Sequence, residues 1–172
     1  MIVLETERLL VRHLEDSDFA ALQTLCSNPA IIQYMGDGQP LSEEQTRDWI
    51  KISQNNYQKQ GFGCFALLDR HTNQMIGFGG LVRPGEGQVE IIYAFEQPRW
   101  GQGLATEFAR AMIQLGFERW QLPRIEATID PANHASSAVV KKLGMTFLRS
   151  GVDEHNLPTD FYALDNPAQI SH

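Results

Sequence analysis

The stretch from Glu90 to Glu107, EIIYAFEQPRWGQGLATE, limits what this chain can fold into more than any other. It predicts a strand, a short loop with two glycines, and the start of an amphipathic helix. In that order the loop backbone feeds directly into a helix N-terminus. The N–H groups of Gly101 to Ala105 then face one way, and the helix dipole favours negative charge in front of them. The segment is an anion site suited to phosphate, and glycine at 101 and 103 lets a ligand come close to the backbone.

Two common phosphate motifs are excluded. A dinucleotide fingerprint carries a third glycine at the helix start, where this chain has Leu104, Ala105 and Thr106. A P-loop carries Gly-Lys followed by Ser or Thr, whereas Gly103 is followed by Leu104.

Around this centre the sequence predicts a mixed α/β order. Arg8 to Arg12 reads as a first strand, and Asp16 as the N-cap of a helix to about Cys26. Met35 to Pro40 is a loop; Ser42 with Gln45 forms a capping box that opens a helix to about Gln58. Strands are expected over 64–69, 75–81 and 89–95. After the glycine loop, Leu104, Phe108, Ala111, Met112 and Leu115 recur at helical spacing, giving a helix to about Arg119. A strand from Arg124 to Asp130 and a helix from Ala135 to Leu143, stopped by Gly144, come next. Strands at 147–150 and 159–164 close the order, and residues after Asp165 read as a frayed tail.

With 172 residues, the expectation is one domain with a sizeable core. Hydrophobic residues at 42% and charged residues at 20% fit a soluble globular protein. A net charge of −7 argues against a large nucleic-acid surface, which needs clustered Lys and Arg. It is compatible with a cationic amine substrate and equally with solubility alone. Cys26 and Cys64 give neither a disulfide framework nor metal spacing, and no metal is expected. No apolar run is long enough to span a bilayer, and MIVLETERL shows no signal peptide, so a cytoplasmic protein is expected.

The glycine loop together with NHASSAVVKKLGM, residues 133–145, resembles the GNAT superfamily of acetyl-CoA-dependent N-acetyltransferases. That family's phosphate loop has Arg or Gln, two variable residues, Gly, one variable residue, then Gly or Ala; it falls on Trp100 to Ala105. The opening LETERLLVRHLEDSDFAAL, Trp100, and the Asn-x-x-Ser of Asn133 and Ser136 are similar to the subgroup that includes ribosomal-protein N-terminal acetyltransferases. The resemblance extends from about Leu4 to Leu164.

It implies a GNAT fold: a mixed, mostly antiparallel central sheet with flanking helices and one splayed parallel strand pair that admits the cofactor. It implies acetyl transfer from acetyl-CoA to a primary amine, either a protein N-terminus or a small amine, by a monomer or homodimer. A non-catalytic CoA-binding regulatory module is the alternative. By the resemblance, the CoA pyrophosphate sits on the loop of Trp100, Gly101, Gln102, Gly103, Leu104 and Ala105. Trp100 offers no cation, so binding leans on backbone N–H groups, and Gln102 offers a side-chain donor. Tyr93, Ala94 and Phe95 line the pantetheine arm through their backbone. Asn133 is an N-cap, a contact to the CoA arm, or both. Glu90 is the lead general base, with Glu126 and Asp130 as rivals; Ile92 replaces a glycine usual in the subgroup. The tyrosine many members place seven residues after the Asn is absent at Val140, which leaves Ser136 to assist the leaving thiolate, with His134 as another donor. The acceptor pocket falls on residues 31–59 and 150–161, whose sequence names no acceptor.

Overall fold

The computed structural model describes residues 1–170. Its strands are β1 (Ile2–Glu5), β2 (Leu9–His13), β3 (Cys64–Asp69), β4 (Met75–Val82), β5 (Glu90–Phe95), β6 (Arg124–Ile129), β7 (Thr146–Val152) and β8 (Pro158–Asp165). The α-helices are α1 (Phe19–Cys26), α2 (Pro29–Ile32), α3 (Glu43–Gln60), α4 (Leu104–Glu118) and α5 (His134–Lys142). Among the described residues, eight strands form one sheet in the order β1-β2-β3-β4-β5-β6-β8-β7. Every neighbouring pair is antiparallel except β5 with β6. The crossover between these two contains α4, as a parallel connection requires.

Each face of the sheet carries its own core. On one, α4 and α5 pack through Phe108, Met112, Ile113, Val139 and Val140 onto Val11, Phe65, Ile91, Phe95 and Ile125. On the other, α1 and α3 bring Leu22, Leu25 and Ile50 against Ala66, Leu68, Phe78 and Ala94. Residues alternate along each strand, so β5 contributes Ile91 and Phe95 to the first core and Ala94 to the second.

Helix boundaries follow local chemistry. Ser42 caps α3 through the expected box with Gln45, and the helix ends at Gly61 in the left-handed conformation. Asn133 caps α5.

Three expectations needed correction. The strand expected first, Arg8 to Arg12, is the second, β2, because residues 2–5 form an additional edge strand, β1, ahead of it. The helix start moved from Asp16 to Phe19: residues 16–18 form a 3₁₀ turn capped by Glu15, while Asp18 turns inward to pair with Arg12 at 2.7 Å. Where a frayed tail was expected after Asp165, the chain is tied down at Asn166. Asn166 is buried, its backbone N–H donates to the Pro123 carbonyl at 2.9 Å, and its side chain donates to the Leu122 carbonyl at 3.0 Å. Cys26 and Cys64 are both free and buried.

Candidate active site

Strands β5 and β6 pair at a single register position, Glu90 with Glu126, and then diverge. Ile91 to Phe95 remain fully paired with β4 on their other edge, through Leu81 to Gly77. The β6-facing edge of β5 therefore has backbone groups without a strand partner. The glycine loop and the N-terminus of α5 lie at the open end of this gap.

Glu90 stands where the divergence starts. It is half-buried, and its pKa is pushed up to about 7, first by burial and then by the negative charges of Glu126 and Glu154. A carboxylate of that basicity accepts protons near neutral pH. Its rival Asp130 is engaged elsewhere: its carboxylate accepts from the Ala132 backbone N–H at 2.8 Å and holds the turn before α5.

The loop has the geometry of an anion cradle. Gly101 and Gly103 adopt φ of +74° and +79°, the left-handed region that glycine enters without steric cost. A Cβ placed on Gly101 meets nothing within 4 Å, and on Gly103 it meets only Arg8 Nη2, at 3.6 Å. Gly103, the N-cap of α4, and Leu104 to Thr106, its first three positions, have backbone N–H groups without an acceptor among the described residues. The side chains around them mostly face inward or into the loop itself. Leu104 is buried and Ala105 half-buried. Gln102 donates its amide to the Pro98 carbonyl at 3.0 Å. The half-exposed Trp100 indole donates from Nε1 to the Phe95 carbonyl at 2.8 Å, which ties the loop to the end of β5. Along β5, Ala94 and Phe95 are buried core side chains, so only their backbone is available to a ligand.

Arg8 escaped the sequence reading. Its Nη1 donates to the Gln102 carbonyl at 2.8 Å and its Nε to Glu107 Oε2 at 2.7 Å. Thr6 donates its hydroxyl to Glu107 Oε1 at 2.6 Å. Burial pushes the Glu107 pKa up, but the hydrogen bonds from Thr6 and Arg8 and the Arg8 charge outweigh it and hold the group ionised below its ordinary range. The Gln102 carbonyl is thus held by a cation at the edge of the loop. No local pattern signals this, because the partners lie 99 positions apart.

At the far side of the gap, Asn133 accepts from the Ser136 backbone N–H at 3.2 Å and donates from Nδ2 to Ser136 Oγ at 3.1 Å. The capping role is observed, and it ties Asn133 to Ser136. Val140 is fully buried in the first core, and His134 is exposed. The structure thus gathers Glu90, the edge of β5, the loop and the Asn133–Ser136 pair around one gap. Four free amides suit a diphosphate, and an unpaired strand edge suits an extended, amide-bearing arm.

The model of the family described as an acetyltransferase (GNAT) domain matches residues 8–146. The chain belongs to the GNAT acetyltransferase family. It is 30% identical over 154 residues to the protein named uncharacterized N-acetyltransferase p20 of Bacillus licheniformis, across 88% of this chain and 85% of the relative. A GNAT-family acetyltransferase structure from Bacillus anthracis superposes with a TM-score of 0.83 at 26% identity, covering 96% of this chain and 99% of the other. The fold is also that of RimL, a ribosomal-protein acetyltransferase solved in complex with coenzyme A: TM-score 0.82, 21% identity, covering 98% and 100% of the two chains. The β5–β6 gap is the GNAT splayed pair. Among the described residues, no group of three or more His, Cys, Asp or Glu side chains is placed to hold a metal ion, and no helix is long and apolar enough to cross a membrane.

Proposed function

We propose that this GNAT chain transfers an acetyl group from acetyl-CoA to a primary amine, a protein N-terminus or a small amine. The observation that carries the proposal is Glu90: a half-buried carboxylate with a pKa of about 7 at the point where β5 and β6 part. A CoA-binding module without catalysis has no use for a carboxyl group held in that state. A primary amine titrates near pH 10.4, so at neutral pH it needs a group to take its proton. Glu90 takes that proton, directly or through a water.

The remaining residues divide the work by position. The amides of Gly103 to Thr106, with Gly101 and Gln102 shaping the turn before them, hold the diphosphate. The backbone of Tyr93, Ala94 and Phe95 pairs with the arm as an added strand does. Trp100 fixes the loop to that strand, and Asn133 presents Ser136 toward the leaving sulfur. The donor supplies an acyl group already activated as a thioester, which leaves the protein to orient it and to move protons.

The test is an acceptor screen with acetyl-CoA, following free thiol over peptides with free N-termini, amino acids, polyamines and aminoglycosides. Acceptor-dependent thiol release is the expected outcome. Tight CoA binding with no release over the whole panel would overturn the enzyme reading in favour of a binding module.

A further inference from the structure

Tyr93 lies three residues past the point where β5 and β6 part. Strand alternation puts its ring with Ile91 and Phe95, on the face packed by α4 and α5 and opposite to Glu90. Its hydroxyl oxygen is buried and has no hydrogen-bond partner among the described residues. A buried phenol left in that state costs about 1–3 kcal/mol, and buried tyrosine hydroxyls usually find a partner. The polar group beside it is the Ser136 hydroxyl, which holds the phenol's proton affinity down while burial raises it; burial prevails, so the phenol stays protonated. Ser136 Oγ accepts from Asn133 Nδ2, and its own proton is donated to no group among the described residues. Two hydroxyls with spare protons therefore flank the gap, one from β5 and one from the helix that follows β6.

We propose that Tyr93 donates a proton to the sulfur as the thiolate leaves, with the neighbouring Ser136 hydroxyl as the group that returns a proton to it. This assignment rests on the acetyl-transfer reading above. In the step, the amine nitrogen forms a C–N bond to the acyl carbon while the C–S bond breaks and its electron pair stays on sulfur. The Tyr93 proton moves to that sulfur. The phenolate regains a proton from water by way of Ser136, and the proton that Glu90 took from the amine returns to water.

Tyr93→Phe in the full chain tests this, with three readouts. Without ligand, its melting temperature stays level or rises, because the deleted O–H had no partner; a clear fall would show a structural hydrogen bond and overturn the role. By calorimetry, the wild type prefers CoA over desulfo-CoA, and Tyr93→Phe loses about two- to tenfold of that preference, the scale of one hydrogen bond. Turnover on a responsive acceptor falls about tenfold to a hundredfold, less than full general-acid loss because a thiolate leaves fairly well unaided. Ser136→Ala gives a smaller change in both sulfur preference and turnover. If the wild type turns over and Tyr93→Phe matches it in turnover and sulfur preference, the Tyr93 role alone falls. If the wild type releases no thiol with any acceptor, the acetyl-transfer reading falls, and the donor role with it.

Discussion

Glu90 carries opposite consequences for stability and for activity. Its pKa is 4.5 in an ordinary setting and about 7 in the folded chain. Between those values the folded state binds more protons than the unfolded state, so stability falls as pH rises through that window. Glu90→Gln removes the penalty: thermal melts should show the variant more stable than wild type at pH 8 and equal to it near pH 4. Turnover moves the other way. Wild-type activity should climb as pH rises through about 7, while Glu90→Gln loses roughly 10²–10⁴-fold near neutral pH, the scale of general-base removal. Raising the pH should restore part of it by neutralising the acceptor. Full turnover of the variant at neutral pH would move the base to Glu126 or to solvent. The identity of Glu90 was legible from its place in EIIYAF ahead of the glycine loop. Its basicity was not, because it depends first on burial, then on Glu126 of the neighbouring strand and Glu154 of the β7–β8 turn, and only the folded chain brings these together.

Between elements, the telling contact joins the N-terminal hairpin to the phosphate loop. Thr6 and Arg8, between β1 and β2, grip Glu107 in the first turn of α4. Arg8→Ala should weaken CoA binding about three- to tenfold, a modest effect because the guanidinium is partly exposed and screened. It would leave the Glu107 carboxylate unneutralised beside a site meant for an anion. Calorimetry on Arg8→Ala combined with Glu107→Gln should then recover part of the lost affinity; if it recovers none, the lock acts through shape alone. Gly103→Val should cost more. A branched residue is strained at φ of +79°, and its methyl groups would project from a Cβ that already stands 3.6 Å from Arg8 Nη2. Unchanged CoA affinity in that variant would remove the diphosphate from this loop. The strand-loop-helix was legible because its signals are local: alternation, two glycines, then helical spacing. The lock was not, since neither Arg8 nor Glu107 stands out from the charged residues around it. The same holds for the C-terminal segment, where Asn166 looks like a turn residue and its burial depends on the loop around Leu122.

Across the whole molecule, the sheet is continuous in order yet nearly parted between β5 and β6, where one register pair joins β1–β5 to β6–β8. A ligand that fills this gap bridges the two parts. Hydrogen exchange on adding CoA should slow at residues 91–95, around the loop at 101–106 and at the start of α5, with β1 to β3 unchanged. Slowing confined to the β7–β8 hairpin would place the ligand elsewhere. Apart from β1 and the short helix α2, the element order followed from the sequence, and the single parallel pair followed from the family resemblance. The acceptor was not legible, because the segments to which the resemblance assigns its pocket, residues 31–59 and 150–161, carry ordinary core and turn residues.

The tie between the Trp100 indole and the Phe95 carbonyl also has an optical consequence. Trp100 sits half exposed on the loop, whereas Trp49 and Trp120 are partly buried, each packed against one of the two cores. Intrinsic fluorescence is therefore a built-in reporter of this site, and filling the cradle should shift the Trp100 emission, a change that Trp100→Phe removes.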